Sequence, residues 1–161
     1  MLIALVILIG LGTAGWFVWY LRQPIIPISI HKQLSFSPLA YTGGSSYEAG
    51  SYKYDSKEKI LSYIIKSDDG NIITVSEQSQ PPQFTEIPEY KDKFLDNVMK
   101  RYDSVQSLNG VVYLTHPSKQ KKQVAVIIDK GLIVFMSANK DLSETEWRKL
   151  ADNMAIERVK T

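Results

Sequence analysis

The chain opens on an apolar run. Met1 to Leu21 carries no charged side chain. A bilayer core of about 30 Å is crossed by roughly 20 helical residues, so this run has the length of one membrane-spanning helix. Trp16, Trp19 and Tyr20 gather at its end, where aromatic rings favour the headgroup level. Arg22 follows and can extend toward phosphate. Pro24 and Pro27 then stop the helix. Gly12-Thr13-Ala14 resembles a processing site, yet the apolar run continues through Trp16 to Trp19 and no basic segment precedes it. The pattern favours a retained signal-anchor over a cleaved signal peptide. The small residues Gly10 to Gly15 are ordinary membrane-helix composition rather than a pairing surface.

After a Pro-containing linker over residues 23–33, the period changes. Leu34 to Tyr41 has strand character, Thr42 to Ser46 is a loop by composition, and Tyr52 and Tyr54 alternate within Gly50 to Tyr54. Lys59 to Lys66 and Asn71 to Glu77 flank the turn dipeptide Asp69-Gly70, a hairpin pattern built from β-branched residues. Gln78 to Pro88 is a proline-rich connection. Phe94, Leu95, Val98, Met99 and Tyr102 then recur at three- and four-residue spacing and predict a helix over residues 89–102 with one apolar face. Asn109-Gly110 turns into a strand at Val111 to Thr115. Further strands follow at Gln123 to Ile128 and Leu132 to Ser137, joined at Asp129-Lys130-Gly131. Ser143-x-x-Glu146 is a capping box, with Leu142 and Trp147 placed as a hydrophobic staple. It starts a helix over residues 143–157 whose stripe is Trp147, Leu150, Ala151, Met154 and Ala155. The expected fold class is α+β: an N-terminal transmembrane helix (residues 1–22), the linker, and a soluble domain over residues 34–161. In that domain an antiparallel sheet carries both helices on one face.

Composition narrows the function classes. The roughly 139 residues beyond the anchor suffice for one domain with a real core. Net charge is +2, too small a bias for a nucleic-acid surface. The absence of cysteine excludes disulfides, thiolate nucleophiles and Cys-ligated metals. No P-loop, G-x-G-x-x-G, G-x-S-x-G or S-x-x-K with its partner motifs occurs. His31 and His116 read as solvated loop residues. Asp68, Asp69 and Glu77 share one hairpin. Paired carboxylates serve acid–base work or cation binding, but beside a tight turn they usually favour the turn itself. No catalytic, cofactor-binding or metal-ligating residue is expected, and no cofactor. Lys119, Lys121, Lys122 and Lys130 are the candidate surface contacts, for anionic lipid or an acidic polymer; the plainer reading is a solvated, aggregation-resistant loop. Tyr41, Tyr47, Tyr52, Tyr54 and Tyr63 either line a concave ligand surface or pack the sheet.

Leu34 to Tyr41, Gly70 to Gln78, Gly131 to Ser137 and Asp141 to Trp147 together resemble a family of bacterial membrane-anchored proteins of unknown function. In that family a short N-terminal helix precedes an α+β domain, broadly similar to domains of anti-sigma-factor regulators and lipoprotein carriers. The resemblance spans most of residues 34–157. It departs at Thr42 to Gly50, which is Gly/Ser-rich where the family has a proline-rich tract. It implies no catalytic residues and a domain outside the cytoplasm. Arg22 and Lys32 vote weakly for a cytoplasmic domain, and the resemblance outweighs them. The expectation is a non-enzymatic, single-pass module of the cell membrane. Met1 to Leu21 holds the bilayer, and the outer domain binds an envelope protein, lipid or cell-wall polymer. An acyl-chain carrier and an envelope hydrolase are the alternatives.

Overall fold

The computed structural model describes residues 25–44, 47–116 and 122–157. The predicted anchor, Met1 to Leu21, lies outside them, and among the described residues no helix is long and apolar enough to cross a membrane. The elements run α1 (Ile28–His31), β1 (Leu39–Tyr41), β2 (Tyr47–Asp55), β3 (Ile60–Ser67), β4 (Ile72–Ser79), α2 (Gln83–Glu86), α3 (Pro88–Met99), β5 (Tyr102–Ser107), β6 (Gly110–Thr115), β7 (Val124–Asp129), β8 (Leu132–Ala138), α4 (Glu144–Asp152) and β9 (Met154–Ile156). The fold is α+β, dominated by one antiparallel sheet.

That sheet has seven strands in the order β2-β3-β4-β8-β7-β6-β5. Two meanders, β2 to β4 and β5 to β8, are joined where β4 pairs β8 from Ile73↔Ala138 to Ser79↔Leu132. The predicted hairpin is β3–β4, with Lys66 opposite Ile72. A separate two-stranded ribbon, β1–β9, pairs Leu39 with Ile156 and Tyr41 with Met154.

The expectation that both helices share one face is corrected. Trp147, Leu150 and Ala151 of α4 join the core that holds Leu61, Tyr63, Ile65, Ala125 and Ile127. Leu95 and Met99 of α3 join Val126 and Ile133 instead. Ala125, Val126 and Ile127 are successive strand residues, so the two clusters lie on opposite sides of the sheet. We call the α4 side the inner face and the α3 side the outer face. The reason is in β7 and β8, whose sequences VAVII and LIVFM are apolar without alternation. A strand apolar on both sides needs cover on both.

Three element boundaries also move. The first long helix ends at Met99, because Lys100 turns to φ +60° with its N–H bonded to Asp96 O. Tyr102, expected on the helix, instead starts β5, where its ring meets Tyr113 edge-on at 5.5 Å. Val98, expected on the apolar face, is 46% exposed. The last helix ends at Asp152. Asn153 caps it, its Nδ2 donating to Lys149 O at 2.8 Å, and Met154 to Ile156 leave the helix to become β9. Met154 is still buried; Ala155 is exposed. The capping box forms as expected, the Ser143 Oγ accepting from Glu146 N–H and the Ser143 N–H donating to Glu146 Oε2. The Ser143 hydroxyl also donates to Glu146 Oε2 at 2.7 Å, and that bond, followed by the Ser143 N–H, holds the Glu146 carboxyl below its usual range.

Two local devices set the inner face. A bulge falls between Gly50 and Lys53, with Ser51 at φ +58°. Before it Tyr47 and Ala49 pack inward; after it Tyr52 and Tyr54 do. One extra residue reverses the strand's parity. At the β5–β6 turn, Asn109 Nδ2 donates to Ala151 O and Met154 O at 2.7 and 2.6 Å, tying the turn to the end of α4. Gly110 is at φ +101°, and a Cβ there would sit 2.7 Å from the Asp129 carboxylate.

Trp147 is fully buried. Trp147→Ala should lower unfolding free energy by about 3–5 kcal/mol, against about 1 kcal/mol for Ser143→Ala at the cap. Urea denaturation checks the ranking. Equal costs would mean that α4 is not the main cover of the inner face.

Candidate functional site

The site starts from an accounting of backbone bonds. β1 lies across the inner face and pairs only with β9. Toward β9, Pro38 O accepts from Glu157 N–H at 2.9 Å and Thr42 N–H donates to Asn153 O at 2.8 Å. The N–H and C=O of Leu39 point the other way, where no strand among the described residues lies alongside. Leu39 is 3% exposed, and buried peptide groups left unpaired are costly. Two side chains of the main sheet supply the partners. Glu77 Oε2 accepts from Leu39 N–H at 2.8 Å, and the Tyr63 hydroxyl donates to Leu39 O at 3.0 Å.

Tyr63 Oη also lies 3.0 Å from Glu77 Oε1. A phenol has one proton, and the Leu39 carbonyl can only accept. With Glu77 ionised the single phenol proton must be shared between Leu39 O and Glu77 Oε1; all three contacts are full two-centre hydrogen bonds when Glu77 carries a proton and donates it to Tyr63. The ring then closes: Glu77 to Tyr63, Tyr63 to Leu39 C=O, Leu39 N–H back to Glu77. The environment agrees. Glu77 is 0% exposed, and burial pushes its carboxyl up to about 8, partly offset by the Leu39 amide and the Tyr63 hydroxyl. Tyr63 is likewise raised, first by burial and then by Glu77.

Other titratable groups gather beside this ring. Tyr52 stacks on Tyr63, with centroids 5.0 Å apart at 29°. Its hydroxyl is buried without a partner among the described residues, and burial raises it to about 12. Glu157, just past β9, accepts from Ile26 N–H at 3.3 Å through Oε2. Its Oε1 sits 3.7 Å from His31 Nε2. Burial, the largest influence, raises the Glu157 carboxyl. His31, expected as a solvated loop residue, is thus corrected: its side chain is 13% exposed and faces Glu157. Ile26, within the predicted linker, is fully buried in the core. Residues 25–41 form a strap laid onto the sheet and fastened by two carboxyl groups. Enclosed in this way, Glu77 holds structure. Its carboxyl is 0% exposed and both oxygens are engaged, by Leu39 N–H and by the Tyr63 hydroxyl.

The other anticipated groups lie elsewhere. Lys119 and Lys121 fall outside the described residues. Lys122 is exposed just before β7, while Lys130 follows β7 at the turn, where its Nζ donates to Asn109 Oδ1 at 2.8 Å. A six-residue strand of roughly 20 Å separates the two. Asp69 stays at its turn, accepting from the Ser67 hydroxyl and, at 3.1 Å, from Asn71 N–H. The Ser67 bond is the main reason its carboxyl is held below the usual range. Glu77 is far along β4 from Asp68 and Asp69, so the hairpin does not bring the three together. His116 pairs with Asp103 at 3.2 Å in the open. A groove of about 180 Å³ lies at the β2 bulge, lined by Glu48, Ala49, Gly50, Ser51, Ile64 and Lys66. Among the described residues no group of three His, Cys, Asp or Glu side chains is arranged to hold a metal ion.

The signal for the ring was one of parity. Ile73, Val75 and Glu77 alternate on one strand, and the first two are core residues. The glutamate must therefore point inward as well.

Between its ordinary value of 4.5 and about 8, Glu77 keeps in the fold a proton that the unfolded chain has released. Stability should therefore fall as pH rises through that window and level off above it, by on the order of 5 kcal/mol in total. Tyr63→Phe, which leaves Leu39 C=O without a donor, should cost about 1–3 kcal/mol. Denaturation midpoints from acid to alkaline pH test both. A profile flat across the window would mean that Glu77 is ionised in the fold.

No protein-family model, no curated protein and no solved structure matches this chain.

Proposed function

We propose that this chain is a single-pass, membrane-anchored, non-enzymatic envelope module. Its domain, outside the cytoplasm, binds a partner protein, lipid or cell-wall polymer, in keeping with the bacterial membrane-anchored family that its sequence resembles. The observation that carries the reading is how the polar groups are deployed. The buried titratable residues are spent on fastening the strap, and what faces solvent is a broad, shallow sheet surface.

That surface is the half of the outer face away from α3. Glu48 and Gly50 of β2 pair with Lys66 and Ile64 of β3. Ser62, Ile64 and Lys66 pair in turn with Ser76, Thr74 and Ile72 of β4. Ile72 is 39% exposed. A mixed apolar and polar sheet surface suits contact with another macromolecule. The acyl-carrier alternative draws less support, because Tyr41 and Tyr63 are turned into the core and Tyr52 stacks on Tyr63. A hydrolase would need an acid–base pair in an open cleft, and Glu77 and Tyr63 are sealed.

The chain has no cysteine, so one introduced at Leu108, which is 80% exposed, is a clean reporter. In intact cells Leu108→Cys should react with a membrane-impermeant maleimide, and the protein should stay with membranes after an alkaline wash. Protection from the reagent until lysis would overturn the outward orientation; release by the wash would overturn the anchor. A photo-crosslinking side chain at Thr74 should give an adduct in cells, whereas one at exposed Lys93 on α3 should not. No adduct from the β2–β4 face would count against binding there.

A further inference from the structure

The strap carries buried side chains at Ile26, Leu34, Leu39, Ala40 and Tyr41. Apolar burial keeps it seated; the polar fastenings decide how easily it lifts. At Glu157 the carboxyl is held by a long bond from Ile26 N–H, 3.3 Å, and by His31 Nε2 at 3.7 Å. At Glu77 it is the closed ring with Tyr63 and Leu39.

We propose that Glu77 is a proton-operated latch that holds the β1–β9 ribbon and the strap onto the sheet. With its proton, the ring is complete. When the proton is lost to bulk water, Tyr63 turns its only O–H toward the carboxylate and Leu39 C=O is left without a donor. The ribbon then opens from the inner face more often, though its average position is unchanged.

The groups facing Glu77 leave no other means of holding an ionised carboxylate. β3 presents Tyr63, and β2 presents Tyr52 behind it. β8 presents Val134, its partner in register. β1 presents only the Leu39 backbone. Beyond Tyr52 lies Glu157 of the segment after β9, with His31 of α1 directed at that second carboxyl. None of these is a lysine or arginine. An opening that exposes Glu77 returns it from about 8 to its ordinary 4.5. Raising the pH therefore favours opening about tenfold per pH unit between those values and no further above about 8.

Amide hydrogen exchange on the full chain in detergent micelles, from about pH 5 to about pH 9 and corrected for intrinsic rates, reads this opening directly. Leu39, Ala40, Thr42 and Glu157 should show opening constants that climb tenfold per pH unit and then plateau. They should also open more readily than Val112 and Ile127 in β6 and β7, which report global unfolding. Glu77→Gln reproduces the neutral acid, its amide oxygen accepting from Leu39 and its NH₂ donating to Tyr63. It should make strap exchange independent of pH and as slow as the native chain at about pH 5. Tyr63→Phe keeps the carboxyl but breaks the relay, and should raise opening at Leu39 even at about pH 5. A flat native profile, strap amides exchanging in step with Val112 and Ile127, a persistent slope in Glu77→Gln, or an unchanged Leu39 in Tyr63→Phe would each overturn the latch.

Discussion

The fold depends on what happens to the two backbone groups of Leu39. Seven strands about 4.8 Å apart make a sheet roughly 30 Å wide, and a helix is about 10 Å across. α4 cannot cover the inner face alone. The chain completes the cover with the β1–β9 ribbon and the strap leading into it. A helix satisfies its own peptide groups, so it can be laid on a core without further provision. A strand cannot: one of its edges faces away from its partner. Once a strand was used as cover, the sheet below had to provide hydrogen-bonding side chains at that edge, and Glu77 and Tyr63 are those side chains.

This arrangement exchanges stability for definition. A leucine at position 77 would remove the cost of burying an acid but would leave the Leu39 amide unpaired. The ring, by contrast, accepts the ribbon in one register only. Sliding β1 by a residue would present the sheet with Pro38, which has no N–H, or with Ala40, whose peptide groups face β9. Buried polar groups can specify an arrangement where apolar ones tolerate several. In a ribbon whose β1 strand is only three residues long, little else would set the alignment.

Much of the sheet could be read from the chain. The β3–β4 hairpin, the β7–β8 pair and the capping box at Ser143 all carry local signals, namely a turn dipeptide, β-branched runs and a fixed spacing of hydroxyl and carboxylate. What escaped was non-local or masked by competing periods. Met154 continues the helical spacing of Trp147 and Leu150, so nothing local marks it as a strand; its identity comes from β1, at the far end of the domain. Tyr102 fits a helix four residues after Val98, and only the left-handed turn at Lys100 removes it. The two-sided cover was foreshadowed in VAVII and LIVFM, whose lack of alternation argued against a solvated outer face. Of the site, Glu77 was legible through its parity with Ile73 and Val75. Its partners were not, because neither Tyr63 nor a backbone edge at Leu39 carries any mark in the sequence of what it will meet.

The pairing of β1 with β9 has a consequence for how the molecule is made. Leu39 emerges from the ribosome long before its partner Ile156. The meanders can assemble as they appear, since each strand meets its neighbour at once. The ribbon cannot. Until Ile156 has been made, the groove above Glu77 has no ribbon over it and its acid is in contact with water. Closing it therefore waits for β9, long after the strands beneath could have paired.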